Sequence, residues 1–174
     1  LFEKMNGTGK IVILEGIPSS TTSRDRKKGY DEELKKFPGI EVLDSKVANY
    51  QRPDAQRAMR EMLAKFPQID GVLAANDVMA LGALDVMRER GRTAKVAGVN
   101  GLSEAIERIQ DGSMLVTVDF STFNIACIAM QAALRKRDGL SVPRKIMLPA
   151  EVIDRGNYEK SQVPTKERSC PAWQ

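Results

Sequence analysis

Asn76 and Asp77 stand side by side between an apolar run, Val72–Ala75, and a Met/Ala/Leu/Gly segment that reaches Leu84. Aspartate is a favoured cap at a helix start, so Asp77 has a structural role to hand. Asn76 is harder to assign, because capping needs one polar residue and its planar amide donates and accepts at once. Polar or aromatic groups recur at similar junctions: Arg26 inside Arg24-Asp25-Arg26-Lys27-Lys28, Tyr50 before Pro53, Asn100 before Gly101, and Asp119 before Phe120. Guanidinium and amide groups offer planar forks of hydrogen-bonding atoms, and an aromatic ring offers a stacking wall. Each also has a plainer reading: Arg26 on a solvated helix face, Tyr50 as a lid on the core, Asn100-Gly101 as a turn, and Asp119-Phe120 as a hinge.

Bond-making chemistry is harder to assemble from these residues. Asp77 and Asp119 would serve as an acid–base pair only at a suitable separation, which sequence spacing does not supply. The chain has no histidine, which removes the commonest general base and the commonest transition-metal ligand. There is no Gly-x-Ser-x-Gly elbow either. We expect no enzyme activity, no metal and no cofactor. Asn6–Lys10 (NGTGK) has the glycines of a phosphate loop but precedes its strand, where such a loop would follow one. Ser19–Ser23 does follow a strand and open a helix, although Ser and Thr there more often act as caps.

The elements that must position these residues alternate regularly. Strand-like runs at Lys10–Leu14, Ile40–Leu43, Val72–Ala75, Lys95–Val99 and Leu115–Val118 are separated by helical patterns at Ser23–Lys36, Arg52 onward, Asp77–Arg90 and Ser103–Asp111. A longer helix is expected from Thr122 to Asp138, then short extended segments at Lys145–Leu148 and Glu151–Ile153. In the second helix Ala55, Met59, Met62, Leu63 and Phe66 recur at helical spacing, with Pro53 in the tolerated first turn. Such alternation predicts an α/β fold: a doubly wound parallel sheet with helices on both faces. Ligands of such sheets bind outside the carboxyl ends of the strands, where Asn76, Asn100 and Asp119 fall.

With 174 residues, 42% hydrophobic and 29% charged, the composition is that of a globular chain. Its 27 basic and 23 acidic residues interleave to a net +4, without the basic stripe of a nucleic-acid binder, so no nucleic-acid partner is expected. No stretch approaches the roughly 18 consecutive apolar residues of a membrane span. A targeting segment, if the protein has one, lies outside these residues or has been removed. Cys127 and Cys170 lack the short spacing of a zinc or redox motif. Pairing is open to them in an oxidising compartment, but Cys127 sits in an apolar helical run and reads more naturally as a small buried hydrophobe.

Taken together, NDVMALGAL at Asn76–Leu84, VAGVNG at Val96–Gly101 and IQDGSMLVTVD at Ile109–Asp119 resemble the periplasmic sugar-binding proteins of ABC importers. The likeness is to the ribose/allose-like branch of the type I periplasmic binding proteins. It extends back through NYQRPDAQRAM at Asn49–Met59 and SRDRKKGY at Ser23–Tyr30, covering roughly residues 10–155. The resemblance implies two α/β lobes that close on a monosaccharide or polyol and deliver it to a membrane permease, in the periplasm, after export on a signal peptide. This chain would supply residues 1–120 of the C-terminal lobe, a hinge crossover with helix and strand of the other lobe at 121–149, and a return segment and tail at 150–174. The tail after Asn157 carries no readable signal.

Carried over position by position, the resemblance makes Arg26 a donor to sugar hydroxyls, Asn76 a fork onto two hydroxyls, and Tyr50 an aromatic wall where Phe is usual. Asp77 keeps the cap. Asn100 stands where the family generally has Asp, and Asp119-Phe120 near where it has an amide. The expected ligand set is therefore Arg26, Tyr50, Asn76, Asn100, Asp119 and Phe120, with the carboxylate role passed from position 100 to Asp119. With the N-terminal lobe missing, Phe123, Ile125, Ile128, Met130 and Leu134 on helix 122–138 would lack their sheet, so that this chain would either self-associate through that helix or be a proteolytic or partly ordered remnant of a longer chain. The effector-binding domain of a lactose-repressor-like transcription regulator shares the fold and several motifs, whereas TVDFSTFNIA looks closer to the transport proteins.

Overall fold

The computed structural model describes residues 1–163 and 165–173. Six strands, β1 (Thr8–Glu15), β2 (Gly39–Val47), β3 (Gly71–Ala74), β4 (Lys95–Ala97), β5 (Val116–Asp119) and β6 (Glu151–Asp154), form one sheet in the order β2-β1-β3-β4-β5-β6. Five helices join or follow them: α1 (Thr21–Leu34), α2 (Arg52–Lys65), α3 (Asp77–Glu89), α4 (Ser103–Gln110) and α5 (Thr122–Arg137). The first five strands are parallel, as the alternation of elements requires. The last strand, β6, runs antiparallel to β5, with Thr117 opposite Ile153 and Asp119 opposite Glu151. Lys145–Leu148, expected as an extended segment, is in no strand. Pro143 and Pro149 flank it, and proline has no N–H to give to a ladder.

Alternation along β1 separates the two sides of the sheet. Ile11 and Ile13 face one side with Phe2, Met5, Ile40 and Leu73, covered by Tyr30, Leu34 and Phe37 from α1 and the turn after it. Val12 and Leu14 face the other, against Val72, Ala74, Met59, Met62, Met79, Val86 and Ile109 from β3 and helices α2, α3 and α4. The division follows from topology. The chain leaves β1 toward β2, then reverses and builds outward on β1's other side; right-handed crossovers running in opposite directions put their helices on opposite faces. On the α2–α4 side, Arg52 of α2 donates from Nε to Asp85 of α3 at 2.7 Å and from Nη1 to Glu104 of α4 at 3.0 Å, joining three helices at one guanidinium.

Helix α5 stands apart, with no substantial packing against the other helices or strands. Ile125, Met130 and Leu134 are exposed along it, while Cys127 and Ile128 are buried. Burial of Ile128 departs from the expected bare face, and Cys127 is not a free thiol: it forms a disulfide with Cys170. Both corrections have one cause. Residues 170–173 lie along α5 and cover part of it.

Candidate functional site

Neighbouring strands β1 and β3 send their chains in opposite directions, which opens a crevice at their carboxyl ends. Arg26, one turn into α1, reaches into it. The guanidinium donates from Nη1 to the Ala75 carbonyl, the residue just past β3, and from Nη2 to Oδ1 of Asn100, just past β4, at 3.2 Å. The rings of Tyr50 and Phe120 flank the same group, each centroid 5.8 Å from Arg26 Cζ. Arg26, Tyr50, Asn100 and Phe120 therefore form one cluster from helix α1 and three connections, and Asn76 adjoins it through Ala75.

The rest of the basic run is engaged elsewhere. Arg24 folds onto its own loop, donating to the Ser19 carbonyl at 2.8 Å, while Lys27 pairs with Asp31 and Lys28 with Glu32. Arg26 is thus not the solvated residue that spacing alone suggests. Two members of the cluster hold backbone conformations that side-chain-bearing residues seldom adopt, Tyr50 at φ 61° and Asn100 at φ 132°. Such strain concentrates at functional sites.

Gly16, at the end of β1, was not foreseen from sequence. A Cβ there would lie 2.2 Å from Cζ of Tyr50, so the phenol occupies the volume that any other residue would fill. Tyr50 Oη is buried and has no hydrogen-bond partner among the described residues. The available signal was the pairing of Glu15-Gly16 with a strand end, which is too common to single out.

The doublet at 76–77 is assigned differently from expectation. Asn76, not Asp77, is the N-cap of α3: its Oδ1 accepts from the Met79 N–H at 2.9 Å. Asp77 is fully buried and ties two connections together, accepting from Thr117 Oγ1 at 2.6 Å and from the Leu102 N–H at 2.9 Å. Gly98 makes room for it, since a Cβ there would sit 2.3 Å from Asp77 Oδ1. Burial pushes the Asp77 carboxyl up from its ordinary pKa, against the hydrogen bonds from Thr117 and the backbone. Its role is to staple the β4–α4 connection, which carries Asn100, to β5. Thr117, buried at the centre of that staple, also escaped notice, because a lone Thr in a strand looks like β-propensity.

Asp119, like Asn76, makes no bond within the cluster. Its Oδ1 accepts from the Ser121 N–H at 2.6 Å, and no hydrogen bond joins it to Arg26, Asn76 or Asn100 among the described residues. It borders a neighbouring open cleft of about 570 Å³ shared with Asn124, Glu151, Lys160 and Arg168. No gathering of three or more potential metal-ligating side chains occurs among the described residues.

The periplasmic binding protein domain model matches residues 1–141. The chain belongs to the periplasmic binding protein family. The xylitol-binding protein of Mycolicibacterium smegmatis is 32% identical over 170 residues, covering 95% of this chain and 49% of that protein. A solute-binding protein from Actinobacillus succinogenes with bound D-allose superposes with a TM-score of 0.89 at 30% identity, over 92% of this chain and 58% of that one. A second, from Bacillus halodurans C-125 with bound myo-inositol, gives 0.87 at 27% identity, over 91% and 56%. This periplasmic binding protein chain spans about half the length of the curated relatives it matches. Those relatives are named as binding proteins, not enzymes.

Proposed function

We propose that this chain forms the C-terminal half of a sugar- or polyol-binding protein that works in the periplasm and hands its ligand to the permease of an ABC importer. The observation that carries the reading is Arg26, braced by Ala75 and Asn100 with the rings of Tyr50 and Phe120 each 5.8 Å away. A polyhydroxylated ligand has apolar C–H faces for the rings and hydroxyl oxygens for the guanidinium's remaining N–H groups. Asn76 spends its Oδ1 on the helix cap, so its contribution is the two donors of Nδ2. Asn100 Oδ1 already faces Arg26. The carboxylate of the site is then Asp119, entering from the adjoining cleft once a ligand or a second lobe fills the rim. Relatives that bind xylitol, allose and inositol favour this class of ligand over a regulator's effector.

In this reading residues 1–120 are the lobe proper, 121–149 cross to a lobe built mainly from other residues, and 150–174 return. Several hydroxyl contacts reach the −8 kcal/mol or so of micromolar binding only when a second lobe excludes water.

Calorimetric titration of the intact protein with xylitol, D-allose, D-ribose and myo-inositol tests the proposal. Binding of at least one at micromolar strength, weakened about 10–100-fold by Arg26→Ala, is the expected result, that being the worth of a hydrogen bond to a charged group. Absence of binding across the panel, or binding indifferent to Arg26, overturns it. Asp119→Asn tests the transferred carboxylate separately: unchanged affinity removes Asp119 from the ligand set while leaving Arg26 in place.

A further inference from the structure

The segment after Asn157 had no reading in sequence, yet it makes specific contacts at both of its ends. At its start, Asn157 is locked to β6 in both directions: its Oδ1 accepts from the Asp154 N–H and its Nδ2 donates to the Val152 carbonyl, each at 2.8 Å. Tyr158 packs against the main hydrophobic cluster beside the sheet. At its far end the tail lies on α5. Cys170 is bonded to Cys127, Gln131 Nε2 donates to the Pro171 carbonyl at 3.0 Å, and Arg135 Cζ lies 4.9 Å from the centroid of Trp173. Cys127, Gln131 and Arg135 are successive i, i+4 positions, one stripe of the helix. Pro171, Ala172 and Trp173 close over Ile128, Ile146 and Leu148 with a void of only about 30 Å³ between them.

From this we infer that residues 158–163 and 165–173 act as a covalent strap, which fixes α5 and the 141–149 segment relative to the β5–β6 edge of the sheet and so limits how far the 119–121 and 149–151 connections can swing. Among the described residues helix α5 has no substantial packing on another helix or strand, so within this chain its first attachment is the connection at Phe120–Ser121. The strap supplies the second attachment. Within it, Arg168 donates to the carbonyls of Val163 and Ser161, at 2.8 and 3.3 Å, drawing the middle of the tail into a compact turn. That turn also forms one wall of the cleft onto which Asp119 opens. The strap therefore holds the same two connections that flank the candidate site, although the inference does not depend on any ligand.

Hydrogen exchange of the chain, read by mass spectrometry without ligand, tests the strap directly. Non-reducing peptide mapping should first recover Cys127 linked to Cys170; recovery of both as free thiols after expression in an oxidising compartment overturns the inference. Cys170→Ser, and separately Trp173→Ala with the disulfide intact, should raise exchange of α5 amides by about tenfold or more while β1 and β3 keep their protection. Equal exchange in α5 with and without Cys170 shows that the tail merely decorates the helix and overturns it. Because β1 and β3 serve as internal reference, a variant that misfolds is recognised and replaced by Cys127→Ser. Since the readout uses no sugar, failure of the sugar-binding proposal and failure of the strap are separate results.

Discussion

At the scale of single residues, the site rests on placements that no local rule dictates. Arg26 belongs to a run of charges, and only tertiary contact separates it from Arg24, Lys27 and Lys28, which find partners on their own helix or loop. Gly16 makes the clearest prediction: a methyl group there must push the Tyr50 ring off the strand end. Gly16→Ala should weaken ligand binding measured by calorimetry, and a double-mutant cycle with Tyr50→Ala should show the two effects to be non-additive, as expected for residues in contact. Asp77 offers a test of the staple. Asp77→Ala strands the Leu102 N–H and the Thr117 hydroxyl, a loss of about 2 kcal/mol, read as a fall of roughly 4–8 °C in melting temperature for a chain of this size. Asn76→Ala should cost about 1 kcal/mol as a lost cap, in addition to whatever it takes from the ligand.

At the scale of elements, the helices over the main cluster are held by apolar packing and one charged joint. Hydrogen bonds from Arg52 hold the Asp85 carboxyl below its usual pKa, with burial working against them. A folded value below the unfolded one, near 3.9, contributes stability that is present above the unfolded value and lost as pH falls through the folded one. Asp54, Asp70 and Asp111 are shifted the same way by their own hydrogen bonds. Urea denaturation should therefore show stability declining below about pH 4, with Asp77, whose carboxyl burial raises, working in the opposite sense. Asp85→Asn should make that decline shallower without abolishing it; an unchanged slope would remove the Arg52 joint as a source of acid sensitivity.

At the scale of the whole molecule, α5 is covered only in part. Ile125, Met130 and Leu134 remain exposed beside the stripe that the tail occupies, and an apolar face of this kind seeks a partner. In the proposed reading that partner is the N-terminal lobe. For the isolated chain we predict concentration-dependent self-association in sedimentation velocity, suppressed by Met130→Glu with Leu134→Glu; a monomer at all concentrations would refute it. Closing a loop between residues 43 apart in sequence is worth about 4 kcal/mol by chain entropy, so excess reductant should lower the denaturation midpoint of the wild-type chain and leave Cys170→Ser unaffected.

Hydrophobic periodicity determined the α/β class and the succession along the chain of five parallel strands and five helices, because a strand buried on both faces and an amphipathic helix must each write their period into the chain. Of the residues that the family resemblance names, Arg26, Tyr50, Asn100 and Phe120 come together at the carboxyl ends of the strands, and their contact with a ligand is what we propose. Tertiary structure alone decided which of Asn76 and Asp77 caps α3, since both are good acceptors and only the position of Thr117 and Leu102 chooses between them. It alone reversed β6, coupled Gly16 to Tyr50, and joined Cys127 to Cys170. Those outcomes depend on groups far apart in sequence arriving at the same few ångströms, and no periodicity records a meeting of that kind.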